Sequence, residues 1–361
     1  MVERGYNKAT MIIPVQLQNQ GAISLSTPDK MEELTLQLLG VTEANLEEFV
    51  RKNIGLLFPE GETLLVVGQQ LRNQQGGRSD LVAVDGDGNI VLIELKRDAS
   101  DIVARKEAFE FQAIRYAANY ALLANSDDLV HQLFAPYVSK HLSEFSSKYP
   151  NLTASEIAAR EIADFLAANK ADKDFNRNQL IVLIASSFDP QTLSACAWLA
   201  KSGIDIRCIS LTPLKYAQQY FLSVERIIPP PALEEFFVEV ASTPQASSKT
   251  SASSSRIARQ SLPKMLQLWK WGLIKPGDTL YISTSPQESA TVKDDKLVTY
   301  QSQDMTFNAW GQKITGWSAI NIYEWAVKAT DDPKTNKTLD TLRREKVQEF
   351  EQAASVSDTG L

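Results

Sequence analysis

Two apolar runs around a short polar turn dominate the hydrophobic pattern. Leu81-Val82-Ala83-Val84 leads into Asp85-Gly86-Asp87-Gly88, and Ile90-Val91-Leu92-Ile93-Glu94-Leu95 follows. β-Branched runs flanking an Asp/Gly turn predict a β-hairpin. The second run is apolar at nearly every position, the pattern of a strand buried on both faces. Leu64-Leu65-Val66-Val67-Gly68 predicts a strand before the hairpin. Gln179 to Ser186 and Asp205 to Leu211 predict two more, joined by a helix from Asp189 to Lys201 that stops at Gly203. Strand, helix and strand in that order imply parallel pairing through a right-handed crossover. Helical spacing begins near Pro28 and is clearest from Glu43 to Asn53, where Leu46, Phe49 and Val50 recur on one side and Thr42 is placed to cap. A long helix is expected from a Ser100 cap, with Asp101 in its first turn, to about Ala124. Two more fall within residues 127 to 170, the second opened by a Thr153-Ala154-Ser155-Glu156 capping box. These elements specify an α/β domain, a mixed sheet flanked by helices.

The pattern changes on either side of this block. Residues 1–28 read as a strand-bearing arm in which Met11-Ile12-Ile13-Pro14-Val15 adds to a sheet edge, where proline is tolerated. The main domain spans 29–228. Pro229-Pro230-Pro231 breaks the chain, and 229–260 reads as a flexible linker rich in Ser, Thr, Ala and Gln, with one short helix near Leu233 to Val240. A small α+β domain is expected over 261–345, followed by a tail at 346–361. Its elements are a helix from Leu262 to Trp271 ending at Gly272, a Pro276-Gly277 turn into a strand, a hairpin from Ala290 to Val298, and a helix from Phe307 to Ile314 ended by Thr315-Gly316.

Composition narrows the setting. The 361 residues are 43% apolar and 22% charged, a balance typical of globular chains. No run of eighteen apolar residues occurs, so no membrane span is expected, and the N-terminus shows no signal peptide; a cytoplasmic setting is the expectation. Cys196 and Cys208 lie in apolar surroundings and read as buried thiols. His131 and His141 are the only histidines, which leaves zinc chemistry and a Ser-His-Asp triad poorly supported. The net charge of -7 argues against a protein that coats nucleic acid along its whole surface, while leaving room for a local basic groove.

The candidate chemistry sits at the end of the hairpin. Glu94 and Lys96 are two apart on a strand and share a face, and the hairpin can bring Asp80 to the same end. Two carboxylates and a lysine at the mouth of an apolar hairpin need a compensating partner, and a divalent metal supplies one. Glu43 and Glu47 share a face of the preceding helix. Both can be solvated acids favoured by the helix dipole, or one can turn toward the site. Gln112 and Tyr116 share a face of the following helix. Gln112 is placed to orient a phosphate, a water or Lys96; Tyr116 either belongs to the site or supports the core. Lys106 and Arg115 are candidates for phosphate contact.

Asp80, thirteen intervening residues, then Glu94-x-Lys96 resembles the PD-(D/E)XK nuclease superfamily, and more narrowly the nuclease domain of the NucS/EndoMS mismatch endonucleases. Glu43-Ala44-Asn45-Leu46-Glu47 is similar to that family's helix with an acidic active-site residue. Gly77-Arg78-Ser79-Asp80 is similar to its entry to the aspartate, and Gln112-x-x-x-Tyr116 matches a Q-x-x-x-Y element. Ser79 stands where the superfamily name has proline, and no DNA-binding domain fits before residue 40, which leaves mismatch recognition without support. The resemblance covers roughly residues 40 to 225. It implies a restriction-endonuclease-like sheet and Mg²⁺ (or Mn²⁺) held by Asp80, Glu94 and the Leu95 carbonyl. It further implies that Lys96 acts on the water or phosphate, that Glu43, ahead of Glu47, is the helix acid, and that Arg78 is near nucleic acid.

Gly272-Leu273-Ile274-Lys275-Pro276-Gly277-Asp278, Phe307-Asn308-Ala309-Trp310 to Gly316, Trp325 and Leu339-Asp340-Thr341-Leu342-Arg343 resemble the RAMA domain, a module found beside restriction-type nucleases and thought to read modified adenine. Trp269, Trp271, Trp310, Trp317 and Trp325 either fill a small core or stack an extruded base, and Trp317, beside Gly316, is the candidate for the latter. Together the resemblances imply a metal-dependent endonuclease directed to modified DNA, with a homodimer suited to cutting both strands. The alternatives are a non-cleaving nucleic-acid-binding module and an RNA-processing nuclease.

Overall fold

The computed structural model describes residues 15–17, 23–25, 31–58, 61–72, 78–104, 107–230 and 262–357. Residues 231–260 of the expected linker with its short helix, Met11 to Pro14, Gly77 and Lys106 lie outside them. In chain order the elements are β1 (Val15–Leu17), β2 (Ile23–Leu25), β3 (Glu32–Glu33), α1 (Glu43–Asn53), β4 (Leu64–Arg72), β5 (Arg78–Asp85), β6 (Ile90–Leu95), α2 (Ala99–Val103), α3 (Phe109–Tyr120), α4 (Ser126–Leu129), α5 (Ala135–Lys140), α6 (Leu142–Phe145), α7 (Ala154–Ala168), β7 (Gln179–Ala185), α8 (Pro190–Lys201), β8 (Asp205–Tyr216) and β9 (Gln219–Ile228). After them come α9 (Met265–Lys270), β10 (Thr279–Ile282), β11 (Ser285–Val292), β12 (Leu297–Tyr300), β13 (Gln303–Thr306), α10 (Phe307–Thr315), α11 (Ile322–Trp325), β14 (Ala326–Lys328), β15 (Lys337–Thr338) and α12 (Leu339–Ser357).

The chain is an α/β protein. Its mixed central sheet has the order β3-β8-β7-β6-β5-β4, with β9 also paired to β8. β6, β7 and β8 run parallel, as expected for β7-α8-β8, and the remaining pairs are antiparallel. Every residue of β6 is buried, because the strand is flanked by β5 and β7 and covered by helices. The β5–β6 turn closes as its residues dictate. Asp85 Oδ1 accepts the N–H groups of Asp87 and Asn89, both at 2.9 Å. Gly88 has φ +80°, and a Cβ there would meet Ala171 at 3.2 Å, so two independent constraints exclude a side chain. A separate antiparallel sheet, β13-β12-β11-β10-β14-β15, forms the C-terminal unit around its own core of Leu268, Leu280, Trp310, Phe307 and Leu339. Among the described residues no helix is long and apolar enough to cross a membrane.

Caps read from sequence are present. Thr42 and Thr153 each accept the N–H of the residue three positions on, and Asn45 and Glu156 complete the two boxes. Gly203 and Gly316 follow helices with φ +90° and +79°. Cys196 and Cys208 are free and buried.

Four expectations change. After Pro28 the chain forms β3 and a turn at 36–40 instead of a helix, because the N–H groups of Leu36 and Gln37 are bound by the buried Asp98 carboxylate at 3.1 and 3.0 Å. The single helix from Ser100 is divided into α2 and α3. No glycine or proline marks this break; α3 starts where Phe109, fully buried, packs against Phe188. The two helices expected over 127–170 are four. A π turn at Val130–Phe134 joins α4 to α5 just before Pro136, whose missing N–H cannot serve a regular α turn. β9 follows β8 without a turn signal in the sequence: its turn is made by Ala217 at φ +51°, in place of the usual glycine or asparagine. The arm's described strands β1 and β2 pair with each other.

Helix α1 is held by Arg51, whose guanidinium donates to Glu48 (2.8 Å), Glu144 (2.7 Å) and the Tyr137 hydroxyl (2.9 Å). Arg51 is buried, and it holds the Glu48 carboxyl down at about 2, below the ordinary 4.5. A lowered carboxyl contributes stability that is full above its unfolded value and is lost as pH falls through its folded value. The protein should therefore lose stability between about pH 4.5 and 2. Arg51→Met should cost about 3 kcal/mol, the low end for breaking a buried ion pair because both acids are partly solvated, and should flatten that acid limb; urea titrations at pH 7 and pH 3 measure both.

Candidate active site

The site is built by hairpin register. Leu81 faces Ile93 across β5 and β6, so Asp80 falls opposite Glu94. The Asp80 backbone N–H donates to Glu94 Oε1 at 3.3 Å, and the Leu95 N–H donates to Asp80 Oδ2 at 2.8 Å. Each carboxylate is thus oriented by the other's strand. Glu94 is completely buried, and Gln112 Nε2 from α3 donates to its Oε2 at 3.2 Å. The structure brings Asp80, Glu94 and Gln112 together.

Lys96 extends from the end of β6, where its N–H still donates to the Ile184 carbonyl of β7 at 2.8 Å. Its side chain is 1% exposed. The ammonium donates to the Leu95 carbonyl at 2.5 Å, lies 3.4 Å from Glu43 Oε1, and sits 5.4 Å from the Phe109 ring centroid. A buried ammonium is tolerated only with such compensation: a carbonyl, a carboxylate and an aromatic face.

Two of the three acids of α1, Glu43 and Glu47, flank the cluster in different ways. Glu43, itself half-exposed, reaches in to pair with the buried Lys96. Glu47 is 3% exposed; its carboxylate accepts from Gln70 Nε2 at 2.9 Å, and its Oε1 is buried with no hydrogen-bond partner among the described residues. Burial pushes the Glu47 carboxyl above its usual range and the neighbouring Asp80 charge adds to this, against the hydrogen bonds from Gln70 and Gln69.

The remaining candidates are placed as follows. Tyr116 is buried on α3. Arg115 lies over its ring, 5.4 Å from the centroid, and is ion-paired with Glu107 at 2.8 Å. Arg78 begins β5 with its backbone opposite Arg72; its side chain lies outside the described residues. Trp317 does not line an open base pocket. It is buried in the main core, edge-on to Phe165 (5.3 Å) and Trp325 (4.8 Å). The reason is that residues 317–320 pack on the central sheet instead of facing outward from the C-terminal unit.

Three participants escaped the sequence reading. Tyr120, one turn beyond Tyr116, shares a 2.5 Å hydrogen bond with Ser79, next to Asp80. Burial pushes its hydroxyl up to about 12; the Ser79 bond opposes the shift and the Glu94 charge adds to it, so it stays protonated. The i, i+4 spacing from Tyr116 was the available signal. Asp98 ties the turn before α1 to Ser186 at the end of β7 with a 2.5 Å bond; its signal was the alternation Glu94, Lys96, Asp98. Gln69 joins Lys140 (3.0 Å) and His141 (2.7 Å) to β4, a contact invisible from local pattern.

The residues fit an oxygen-preferring divalent cation. Asp80, Glu94 and the Leu95 carbonyl offer only oxygen, which suits Mg²⁺ or Mn²⁺ over zinc. The ammonium on the Leu95 carbonyl already marks the place as one that accepts positive charge. Among the described residues no group of three or more His, Cys, Asp or Glu side chains could hold a metal ion, so the oxygen donors here are two carboxylates and a backbone carbonyl. The chain matches no protein-family model and no curated protein.

Replacing Lys96 alone takes the ammonium away from the buried Leu95 carbonyl and from Glu43, which costs stability even where an apolar side chain of similar length fills the space. Lys96→Met is expected to lower unfolding stability by about 1–3 kcal/mol, and Lys96→Ala, which leaves a cavity as well, by more; denaturant unfolding compares the two.

Proposed function

We propose that the chain is a metal-dependent DNA endonuclease of the PD-(D/E)XK type, directed to modified, adenine-methylated DNA by its C-terminal unit. One observation carries the reading: at one end of the β5–β6 hairpin Asp80 and Glu94 are each bound by the other's strand, Gln112 of α3 holds Glu94, and Lys96, on the Leu95 carbonyl, pairs with Glu43 of α1. Charges buried at such cost are retained where chemistry needs them. The finer fold assignment, a restriction-endonuclease-like sheet, is supported by the order of α1, hairpin, α3 and the parallel β6-β7-β8 ladder.

Asp80, Glu94 and the Leu95 carbonyl would hold Mg²⁺ or Mn²⁺, which when bound acidifies a water and offsets charge on the phosphate. The chain's own residues do the positioning. The Leu95 N–H fixes the Asp80 carboxylate, and Gln112 fixes Glu94. The Lys96 ammonium, held between the Leu95 carbonyl and Glu43, is placed to orient the attacking water or to donate to a phosphate oxygen. The apolar strands around them keep other water away, which strengthens each charge interaction. A second copy of the chain would supply the second site needed to cut both strands.

The test is Mg²⁺- or Mn²⁺-dependent cleavage of matched plasmids with and without adenine methylation. Cutting confined to the methylated plasmid is expected, with Asp80→Ala and Lys96→Ala slowing it by about 10²–10⁴-fold while the folded-state circular dichroism is kept. Cutting of neither plasmid, with binding to methylated DNA retained, would assign the chain to the non-cleaving class.

A further inference from the structure

The C-terminal unit contacts the central sheet through its backbone. β4 is an edge strand of that sheet, and exposed edges are unpaired templates that proteins cover. Here the cover is the segment after α10. The Leu64 N–H donates to the Ala319 carbonyl at 3.1 Å, and the N–H groups of Ser318 and Ala319 both reach the Leu64 carbonyl, at 2.9 and 3.0 Å. Ser318 Oγ accepts the Val66 N–H at 2.9 Å, and Thr63 Oγ1 accepts the Asn321 N–H at 3.2 Å. Side chains follow the backbone. Trp317, Ala319 and Ile320 are members of the central core, and Trp325 packs against both cores. Gln312 of α10 donates to the Ser318 carbonyl at 2.8 Å and presses so closely on Gly55 that a Cβ there would meet it at 2.7 Å.

We propose that the two units are one rigid body, so that whatever the C-terminal unit binds is held at one fixed distance from Asp80, Glu94 and Lys96. For DNA this rests on the function proposed above: cleavage would fall at a constant offset from the base that is read. Units joined only through a linker and a polar interface move relative to one another by default. This pair shares a hydrogen-bonded strand edge and a core. Leu64, the anchor of the joint, pairs with Asp85 on β5, the strand that carries Asp80 five residues away, about 17 Å along the strand. The joint and the site are therefore two ends of the same pair of strands, and the length of the linker does not set their separation.

Two measurements on the full chain test this. Nitroxide labels at Leu122→Cys and Lys296→Cys, both exposed, report the distance between the units by pulsed electron resonance; Cys196 and Cys208 are buried and do not compete. A single narrow distance is expected, and Ser318→Pro, which removes both the N–H to Leu64 and the hydroxyl under Val66, should broaden it. Ser318→Ala, which removes the hydroxyl alone, is the milder variant if the proline variant does not fold, and should broaden it less. The second measurement maps cuts on duplexes carrying one methylated adenine. One offset per strand is expected, spreading over several base pairs in the loosened variant. A broad distance distribution in the unaltered joint overturns the proposal, as do scattered cuts around a methylated base that is still preferred. Equal cutting of methylated and unmethylated duplexes alongside one narrow distance would remove the base-reading function and support the single body.

Discussion

Everything at the candidate site depends on charge being held where water is excluded. Glu94 and Lys96 are completely or almost completely buried at the end of an apolar strand, a place where charged groups need partners. The solution is distributed. Backbone N–H groups of Asp80 and Leu95, the Gln112 amide, the Leu95 carbonyl, Glu43 and the Phe109 ring each take part. The flanking structure can be understood as support for this arrangement. The β5–β6 turn sets the register that pairs Asp80 with Glu94, α3 brings Gln112 and Phe109, and α1 is clamped by Arg51 so that Glu43 and Glu47 keep their places.

Much of this was visible in the sequence because it is local. A run such as Ile90 to Leu95 has no amphipathic alternative, so its burial could be read directly. The spacing from Asp80 to Glu94 is fixed by a short Asp/Gly turn, and the caps at Thr42 and Thr153 act over three residues. What was not visible depends on partners distant in sequence. The break between α2 and α3 has no breaker residue and follows from how Phe109 packs. β9 exists because β8 is long enough to pair with it, although Ala217 is a poor turn former. Asp98 and Tyr120 are ordinary polar residues until the fold places them against the turn at 36–40 and against Ser79.

Trp317 shows the same limit from the opposite side. Beside a helix-ending glycine in a tryptophan-rich unit, it has the local features of a surface aromatic. Its neighbours across the joint, above all Phe165 of α7, turn it into a core residue. No periodicity within residues 261–345 could have revealed this, because Phe165, the ring it packs on, lies outside them.

The covered edge of β4 also bears on solubility and inheritance. An N-terminal unit separated from residues 317–321 would present the Leu64 end of an apolar strand with its backbone groups unpaired, beside a core lacking one indole. Such an edge pairs with copies of itself, so the N-terminal unit depends on residues 317–321 for its edge cover. In this chain a recombination event that exchanged the C-terminal unit would have to bring its own edge cover and its own aromatic plug, or the recombinant would aggregate before its activity could be selected.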